Sequence, residues 1–307
     1  MEKNMKINFE YLKRRVEDAF DKTDLEFIRR NLLELKEPSI VSGVGGSSVV
    51  STFGAKIINQ KNHIITQSSE PRNFIYQNLS GFKNVISCSY SGKNYGVDLS
   101  FANDLKKYLL SNNSFDNSDV TYLEYKTTID KERSFISLGT TLIPISILLD
   151  YYLDGNANRI LELIEPTTFT FDTESDVYEI FSGYDTSTSA KYLESTLVES
   201  GLAIPIVHDK YSYCHGRSTL STVQRSNAIY FNRETDFDKM MLEELKPYYN
   251  EIIVISSPAK DQVEADFHML VQSMYLTKYL AEQREKDLSK VDYSPITKKL
   301  YTYKGAL

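Results

Sequence analysis

Short apolar runs alternate with longer segments of helical periodicity along most of the chain. Residues 5–36 have the spacing of an amphipathic helical segment that ends before the sequence KEPS. The apolar runs after it are near-continuous, as in parallel strands that helices cover on both faces. They are SIVSGV, HIITQ, NVISCSY and VTYLEY in the first half, and VYEIFSG, LAIPIV, NAIYF and EIIVIS in the second. This alternation predicts βαβ units and an α/β fold with mostly parallel sheets.

Helical patterns fill the intervals between these runs. The predicted helices lie near residues 48–60, 69–79, 95–112, 135–153, 186–200, 236–246 and 261–284. Residues 154–176 are rich in Gly, Pro, Asn and Thr, which is typical of a crossing between domains. The same alternation on both sides of this crossing predicts two copies of one fold. We therefore expect a helical segment at 1–35, α/β domains at 36–160 and 170–290, and a tail at 291–307.

Composition narrows the class of protein. The chain has 307 residues, 41% of them hydrophobic, which is enough for two medium domains with a core each. A formal net charge of -7 argues against a nucleic-acid or anionic-membrane partner, because either requires a basic face. The most apolar segment, 138–153, falls short of a membrane span, and the N-terminus lacks the apolar core of a signal peptide. With only Cys88 and Cys214, a reduced, cytoplasmic protein is expected.

The first predicted strand runs into a turn of small residues, SGVGGSSVV. Gly45 and Gly46 allow a tight turn, and Ser47 and Ser48 present hydroxyls where the next helix offers unpaired N–H groups. Such a turn suits a phosphate group, although simple packing also uses Gly-rich turns. It is neither a Walker A loop nor a dinucleotide fingerprint, so no cofactor is predicted.

A second hydroxyl-rich loop follows the run NVISCSY. Ser89 and Ser91 precede Lys93 and Asn94 beyond the expected carboxyl end of a strand, which is where open parallel sheets bind ligands. Two such loops from separate strands can converge on one anion, and Lys93 adds positive charge. The corresponding turn of the second half has fewer glycines and an acidic Asp185. One phosphate site is therefore predicted, built by the first half.

These loops resemble those of the sugar isomerase (SIS) domain family. The tandem members of this family include the isomerase half of glucosamine-6-phosphate synthase and the fructosamine-6-phosphate deglycases. GVGGSS is similar to the family's first phosphate loop and SYSGKN to its Ser-x-Ser-Gly-Glu-Thr loop. The resemblance spans about residues 36–303 and implies two three-layer α-β-α sandwiches with flavodoxin-like strand order. It implies that Ser47, Ser89 and Ser91 bind phosphate, with Asn94 in place of Thr and Lys93 in place of Glu.

The same family carries a Glu that moves a proton between the first two sugar carbons, and a His-Gly-Pro turn sixteen residues later. Glu199 and His215 have this spacing. The family's His usually reaches a neighbouring subunit and helps to open the sugar ring. The resemblance therefore implies a homodimer with shared active sites, in which the helix at 261–284 is expected to supply contacts. In the tail, Lys299 matches a Lys that enters the family's active site, with Lys298 as the alternative.

The chemistry supports these roles independently. Proton transfer between C2 and C1 of an open-chain sugar phosphate needs one base that serves both carbons, and a partly buried Glu with a raised pKa suits the task. A histidine can shuttle the ring-oxygen proton, and a lysine can stabilise an enediolate or form an imine. The alternative interpretations are that Glu199 only decorates a helix C-terminus, that His215 is an ordinary helix-capping or core histidine, and that the tail lysines are solvated.

Two departures from the family leave the substrate open. Arg217 stands where the His-Gly turn usually has Pro, and Thr196 stands where aminosugar enzymes often have Lys. Arg217 either recognises an additional anionic group of the substrate or forms a surface ion pair. His208 and Asp209 have no third partner at metal-ligand spacing, so no metal is predicted.

The predicted function is that of a sugar-phosphate aldose-ketose isomerase, or a related deglycase or deaminase. The sequence contains no glutaminase portion, so complete synthesis of an aminosugar is not expected. The alternative function is that of a non-catalytic sensor that binds a sugar phosphate through the serine loops alone.

Overall fold

The computed structural model describes residues 9–114, 117–132, 136–171, 175–223, 226–290 and 294–301. The chain begins with two helices, α1 (Leu12–Lys22) and α2 (Leu25–Leu33). The helical segment predicted at 5–36 is thus broken, because the side chain of Asp24 caps α2 by accepting a hydrogen bond from the Phe27 N–H at 2.9 Å.

The first sheet contains five parallel strands in the order β2-β1-β3-β4-β5. The strands are β1 (Ser39–Ser42), β2 (Thr66–Ser69), β3 (Asn84–Cys88), β4 (Lys106–Ser111) and β5 (Val120–Glu124). The helices of this half are α3 (Gly46–Asn62), α4 (Tyr95–Phe101), α5 (Leu138–Tyr152) and α6 (Ala157–Glu162). The strand order is flavodoxin-like, as the resemblance implied.

The prediction of one helix over 95–112 is wrong, because the second part of this range forms strand β4. The helix α4 ends at Phe101, and the chain returns as a strand between β3 and β5. Tyr108 and Leu110 pack into the large core on one face, while Leu109 packs with α4 on the other. Burial on both faces removes the alternation that identifies a strand in sequence. The helix predicted at 69–79 is also shorter and is a 3-10 helix, Pro71–Tyr76.

The second sheet repeats the topology of the first. Its parallel strands β6 (Val177–Ser182), β7 (Ile204–Asp209), β8 (Asn227–Asn232) and β9 (Ile252–Ser256) have the order β7-β6-β8-β9. The helices are α7 (Ser187–Ser200), α8 (Asp236–Leu245), α9 (Gln262–Gln283) and α10 (Pro295–Tyr301). Renumbered from β6, this is the order of the first four strands of the first sheet without β5, which confirms an α/β fold of two related sandwiches.

One hydrophobic core joins the two halves. Val41 and Ile86 of the first sheet belong to the same cluster of buried side chains as Ile180 and Ile229 of the second. Helices α3, α5, α7 and α9 contact one another and carry this cluster from sheet to sheet. The expectation of a separate core for each half is therefore wrong, because these helices bury side chains against both sheets.

Helix α9 is buried inside its own chain. Most of its residues are inaccessible, including Phe267, Leu270 and Met274, and it packs against α5, α7 and β9. A helix that is buried around most of its circumference leaves little surface for a partner. The expectation that this helix supplies the contact with a second copy is therefore wrong. Within the described ranges, no helix combines the length and hydropathy that crossing a membrane requires.

A buried ion pair fastens α3 to α9. Lys56 Nζ lies 2.5 Å from Asp266 Oδ2, and neither side chain is more than 1% exposed. The Asp266 carboxylate also accepts hydrogen bonds from the backbone N–H groups of Thr188 and Ser189 and from the Ser189 hydroxyl. A carboxylate at a helix N-terminus is favourable. One side chain therefore holds the start of α7 and the middle of α3 together.

The substitution Lys56→Met is expected to lower the free energy of unfolding by about 3–5 kcal/mol, because it leaves a buried carboxylate without its cation. Urea denaturation followed by circular dichroism measures this loss. The control is Lys239→Met, which breaks the exposed pair with Asp236 and should leave stability essentially unchanged. Equal, small effects of both substitutions would contradict the importance of the buried pair.

Candidate active site

A cavity of about 720 Å³ opens between the carboxyl ends of strands of the first sheet and helix α7. Its walls come from the β1–α3 turn, the β3–α4 loop, the segment around the start of α5, the inner face of α7 and one residue of α10. The predicted residues among them are Gly45, Gly46, Ser47, Ser89, Ser91, Asn94 and Glu199. Segments far apart in the chain thus meet in the arrangement expected of a ligand site in an open α/β sheet.

The β1–α3 turn brings Ser47 into the cavity wall. Gly45 has a φ of 59°, in the left-handed region that favours glycine, and helix α3 begins at the next residue. A Cβ at Gly43 would lie 2.2 Å from the backbone oxygen of Ser47, so only glycine permits the turn to close. Ser48 does not line the cavity; its backbone carbonyl accepts a hydrogen bond from Lys191 Nζ of α7 at 3.1 Å.

The β3–α4 loop presents hydrogen-bond donors. The hydroxyl oxygen of Ser89 accepts from the Gly92 N–H at 3.2 Å, and that of Ser91 accepts from the Lys93 N–H at 3.3 Å. Asn94 caps α4 through its side-chain oxygen, 2.7 Å from the Gly96 nitrogen. Because these oxygens already accept, the hydroxyl protons and the amide NH₂ are the groups offered to a ligand. A loop of donors suits an anion.

Glu199 lines the cavity from the last turn of α7. Its carboxylate accepts a hydrogen bond from the Ser195 hydroxyl at 2.9 Å. Burial raises the pKa of the Glu199 carboxyl, and this effect outweighs the lowering effect of Ser195. A half-buried carboxylate at a helix C-terminus is electrostatically unfavourable. The combination is typical of a proton-transfer residue rather than of a surface decoration.

The polar face of α7 contains two cavity residues that the sequence analysis did not select, Tyr192 and Ser195, and a third, Thr196, that it noted only as a departure from the family. Tyr192, Ser195 and Thr196 line the cavity together with Glu199. Their spacing is that of one helix face, i, i+3, i+4 and i+7. This pattern was present in the sequence and, once Glu199 was chosen, would have identified the other three. Other lining residues that were missed are Val44, Val49, Tyr90, Lys131, Ile136, Ser137, Thr140, Thr141 and Thr297.

His215 and Arg217 do not line the cavity of their own chain. Both are exposed on the segment after β7. Arg217 Nε donates to His208 Nδ1 at 2.8 Å, and His208 Nε2 lies 2.9 Å from the buried carboxylate of Glu179. Arg217 thus holds the His-Gly turn against the second sheet. Its predicted contact with a substrate stays a prediction, as does the role of His215.

The remaining predicted cations are not among the described lining residues. Lys93 is exposed and does not line the cavity. The side chains of Lys298 and Lys299 lie outside the described part of the chain, so their role stays a prediction. The neighbouring Thr297 of α10 does line the cavity, and the tail therefore reaches it.

The equivalent turn of the second half is occupied by the protein's own ion pairs. Lys210 Nζ lies 2.6 Å from Asp238 Oδ1, with both side chains fully buried. Arg233 Nε lies 3.6 Å from Asp185 Oδ2. Because internal carboxylates already take these cations, this turn offers no counterpart of the serine loops. Among the residues that the structure describes, no group of three or more His, Cys, Asp or Glu is arranged to hold a metal ion.

Solved structures share this architecture. A Clostridium difficile protein assigned to the phosphosugar isomerases is 12% identical with a TM-score of 0.75, over 97% of this chain and 98% of that one. Glucosamine-6-phosphate deaminase from Thermotoga maritima is 14% identical with a TM-score of 0.66, over 92% of this chain and 97% of that one. Tagatose-6-phosphate ketose/aldose isomerase from Escherichia coli is 13% identical with a TM-score of 0.66, over 94% of this chain and 95% of that one. The chain has the SIS-like fold.

These likenesses confirm the fold that the two loops implied. No family model matches the chain, and no curated protein matches it in sequence. At such low identity a shared fold does not carry a reaction with it. Substrate and reaction must therefore be argued from the residues of the cavity.

Replacing Ser89 and Ser91 together with alanine is expected to weaken binding of inorganic phosphate at least about tenfold, since each lost hydrogen bond contributes about 1 kcal/mol. Isothermal titration calorimetry measures the change. Ser80→Ala, which alters an exposed serine in a turn away from the cavity, should bind as the unsubstituted protein does. Unchanged affinity in the double variant, with an unchanged melting temperature, would remove these loops from the site.

Proposed function

We propose that the protein is a sugar-phosphate enzyme that moves a proton between C1 and C2 of its substrate. The reaction class is that of an aldose-ketose isomerase or a related deglycase or deaminase. The observation that carries the proposal is that the carboxylate of Glu199 and the donors of the two serine loops line one cavity. An anchor for a phosphate and a base with a raised pKa are the two parts that this reaction needs.

The serine loops bind the phosphate end of the substrate. Ser47, Ser89, Ser91 and Asn94 direct hydroxyl and amide hydrogens to its oxygens. Binding energy from this end is independent of the reacting carbons, so it orients the open chain along the α7 face towards Glu199. A phosphate on the carbon farthest from the carbonyl fits this division of the cavity.

Glu199 acts as the base on both carbons. It removes the proton from C2, the C2–H electron pair forms the C1–C2 double bond, and the carbonyl oxygen on C1 becomes the enediolate oxygen. The hydroxyl proton on O2 passes to O1, the carboxyl group returns its proton to C1, and the oxygen on C2 becomes the new carbonyl. With nitrogen in place of that oxygen, the same transfer acts on an imine. The raised pKa makes the carboxyl both a sufficient base and a sufficient acid.

Two copies of the chain complete the site. His215 is exposed and lies outside its own cavity, while the Arg217–His208–Glu179 chain of hydrogen bonds holds its turn on the second sheet. We expect this rigid turn to enter the cavity of a partner, where His215 opens the sugar ring. Lys299 of the tail is expected to stabilise the developing negative charge.

Glu199→Gln is expected to slow exchange of solvent deuterium into C1 or C2 of a bound sugar phosphate by about 10²–10⁴-fold, because the base is lost. The measurement is proton NMR in deuterated water on ligands first selected by thermal shift. Glu244→Gln, which alters an exposed carboxylate on α8 outside the cavity, is the control. Binding without exchange for every ligand would instead favour the non-catalytic sensor.

The pH dependence of the exchange rate tests the same role. The ionised carboxylate is the active form, so the rate should fall as the pH drops through the raised pKa of Glu199. The midpoint should lie above that of an ordinary glutamate. The low residual rate of Glu199→Gln should lack this acidic limb, and an identical limb in both proteins would assign the titration to another group.

Mixing the inactive variants Glu199→Gln and His215→Asn tests the shared site. If each cavity takes His215 from the partner, a mixed dimer has one complete site, and random mixing should restore about a quarter of the original activity. If both groups act within one chain, mixing should restore none. Light scattering on each variant verifies that dimers form.

A further inference from the structure

Lys131 is a cation in the wall of the candidate cavity. It lines the cavity from the connection between β5 and α5. It forms no ion pair with any residue that the structure describes. Its Nζ lies 5.4 Å from the centroid of the Tyr90 ring, a cation–π distance. Its exposed ammonium group, at the cavity wall and without a paired carboxylate among the described residues, is available to a ligand.

The residues around Lys131 fix its position. The adjacent Glu132 is buried, and its carboxylate is paired with Arg15 Nε of α1 at 3.3 Å. The same carboxylate accepts hydrogen bonds from the Ser137 hydroxyl at 2.8 Å and from the Gly139 N–H at the start of α5. Glu132 is thus committed to structural contacts, and it anchors the chain directly beside Lys131.

The Tyr90 ring places this ammonium at the serine loop. Tyr90 is the residue between Ser89 and Ser91, and all three line the cavity. Tyr90 also packs edge-on against buried Tyr125, with centroids 6.4 Å apart, so the ring is supported from the β5 side. A lysine seated on this ring lies beside the donors that face an anion.

We propose that Lys131, seated on the ring of Tyr90, binds the phosphate group of the substrate and supplies the positive charge that the serine loops lack. This inference rests on the proposed function, because it assigns a further ligand-binding residue to the same site. It replaces Lys93, which the sequence analysis selected as the cation of the loop. Tyr90 is a positioning residue, since it acts through Lys131.

The positive charge of Lys131 offsets negative charge in the cavity. The serine loops offer neutral donors, and Glu199 brings negative charge to the same cavity, in a protein with a formal net charge of -7. A phosphate monoester carries nearly two negative charges at neutral pH. A lysine beside its oxygens offsets repulsion from the carboxylate and strengthens the hydrogen bonds by making one of them charge-assisted.

The test uses inorganic phosphate as the probe, titrated calorimetrically into the full-length protein. Lys131→Gln is expected to raise the Kd about tenfold or more and to flatten the decrease of affinity with added sodium chloride, while Lys131→Arg retains most of the affinity. Lys93→Gln is the matched control and should change neither quantity. A larger loss in Lys93→Gln than in Lys131→Gln would overturn the proposal.

The positioning role of Tyr90 has its own test. Tyr90→Phe keeps the aromatic face and should bind phosphate as the unsubstituted protein does. Tyr90→Leu removes the face and should weaken binding severalfold in a salt-dependent way. Equal loss in both variants would assign the effect to the Tyr90 hydroxyl instead.

The outcomes separate this inference from the proposed function. If Ser89→Ala with Ser91→Ala abolishes phosphate binding while Lys131→Gln does not alter it, the cavity keeps its phosphate site and the inference about Lys131 is wrong. If the unsubstituted protein does not bind phosphate at all, both the proposed phosphate site and the inference about Lys131 are wrong. Deuterium exchange that depends on Glu199 but not on Lys131 would likewise leave the reaction in place and overturn only the inference.

Discussion

The buried ion pair of Lys56 and Asp266 is the constraint on which the arrangement of the molecule depends. Two charges removed from water are tolerated only when their geometry and remaining hydrogen bonds are satisfied, so this contact permits one relative position of α3, α7 and α9. Helix α3 begins at the Ser47 turn and α7 ends at Glu199. The pair therefore helps to determine how far the Ser47 turn lies from Glu199.

The two halves share a topology and differ in what occupies the carboxyl ends of their strands. In the first half, the turns present hydroxyls and amides to an open cavity. In the second half, Lys210 and Asp238 form a buried pair at this edge. The same position in a repeated fold thus lines an open cavity in one copy and packs internally in the other. The second half contributes to the cavity of the first through helix α7, which carries Glu199 into its wall.

Buried carboxylates have three different fates in this protein. Asp266 and Glu132 are each paired with a cation, and Glu179 accepts hydrogen bonds from Ser226 and Tyr249 and contacts His208. Among the described residues, the half-buried Glu199 has one hydrogen-bond partner, the Ser195 hydroxyl, and a cavity in front of it. A carboxylate whose oxygens all have hydrogen-bond or ion-pair partners has a structural role. A carboxylate with few partners has a raised pKa and can exchange a proton. The number of hydrogen-bond and ion-pair partners, rather than the residue type, thus distinguishes the structural carboxylates from Glu199.

The sequence by itself determined the α/β class, the two-fold repetition and both serine loops, because local patterns of apolar and small residues encode strands, helices and turns; it also selected Glu199 as the candidate base, which stays a prediction. It did not reveal β4, whose burial on both faces hides its period, or the buried position of α9. Only the tertiary structure decided that Lys131 rather than Lys93 lines the cavity, since the contacts of Tyr90 with Tyr125 and Lys131 bring the β5–α5 connection beside the β3–α4 loop. Convergence of distant loops depends on how sheets and helices pack, and no local pattern in the chain records it.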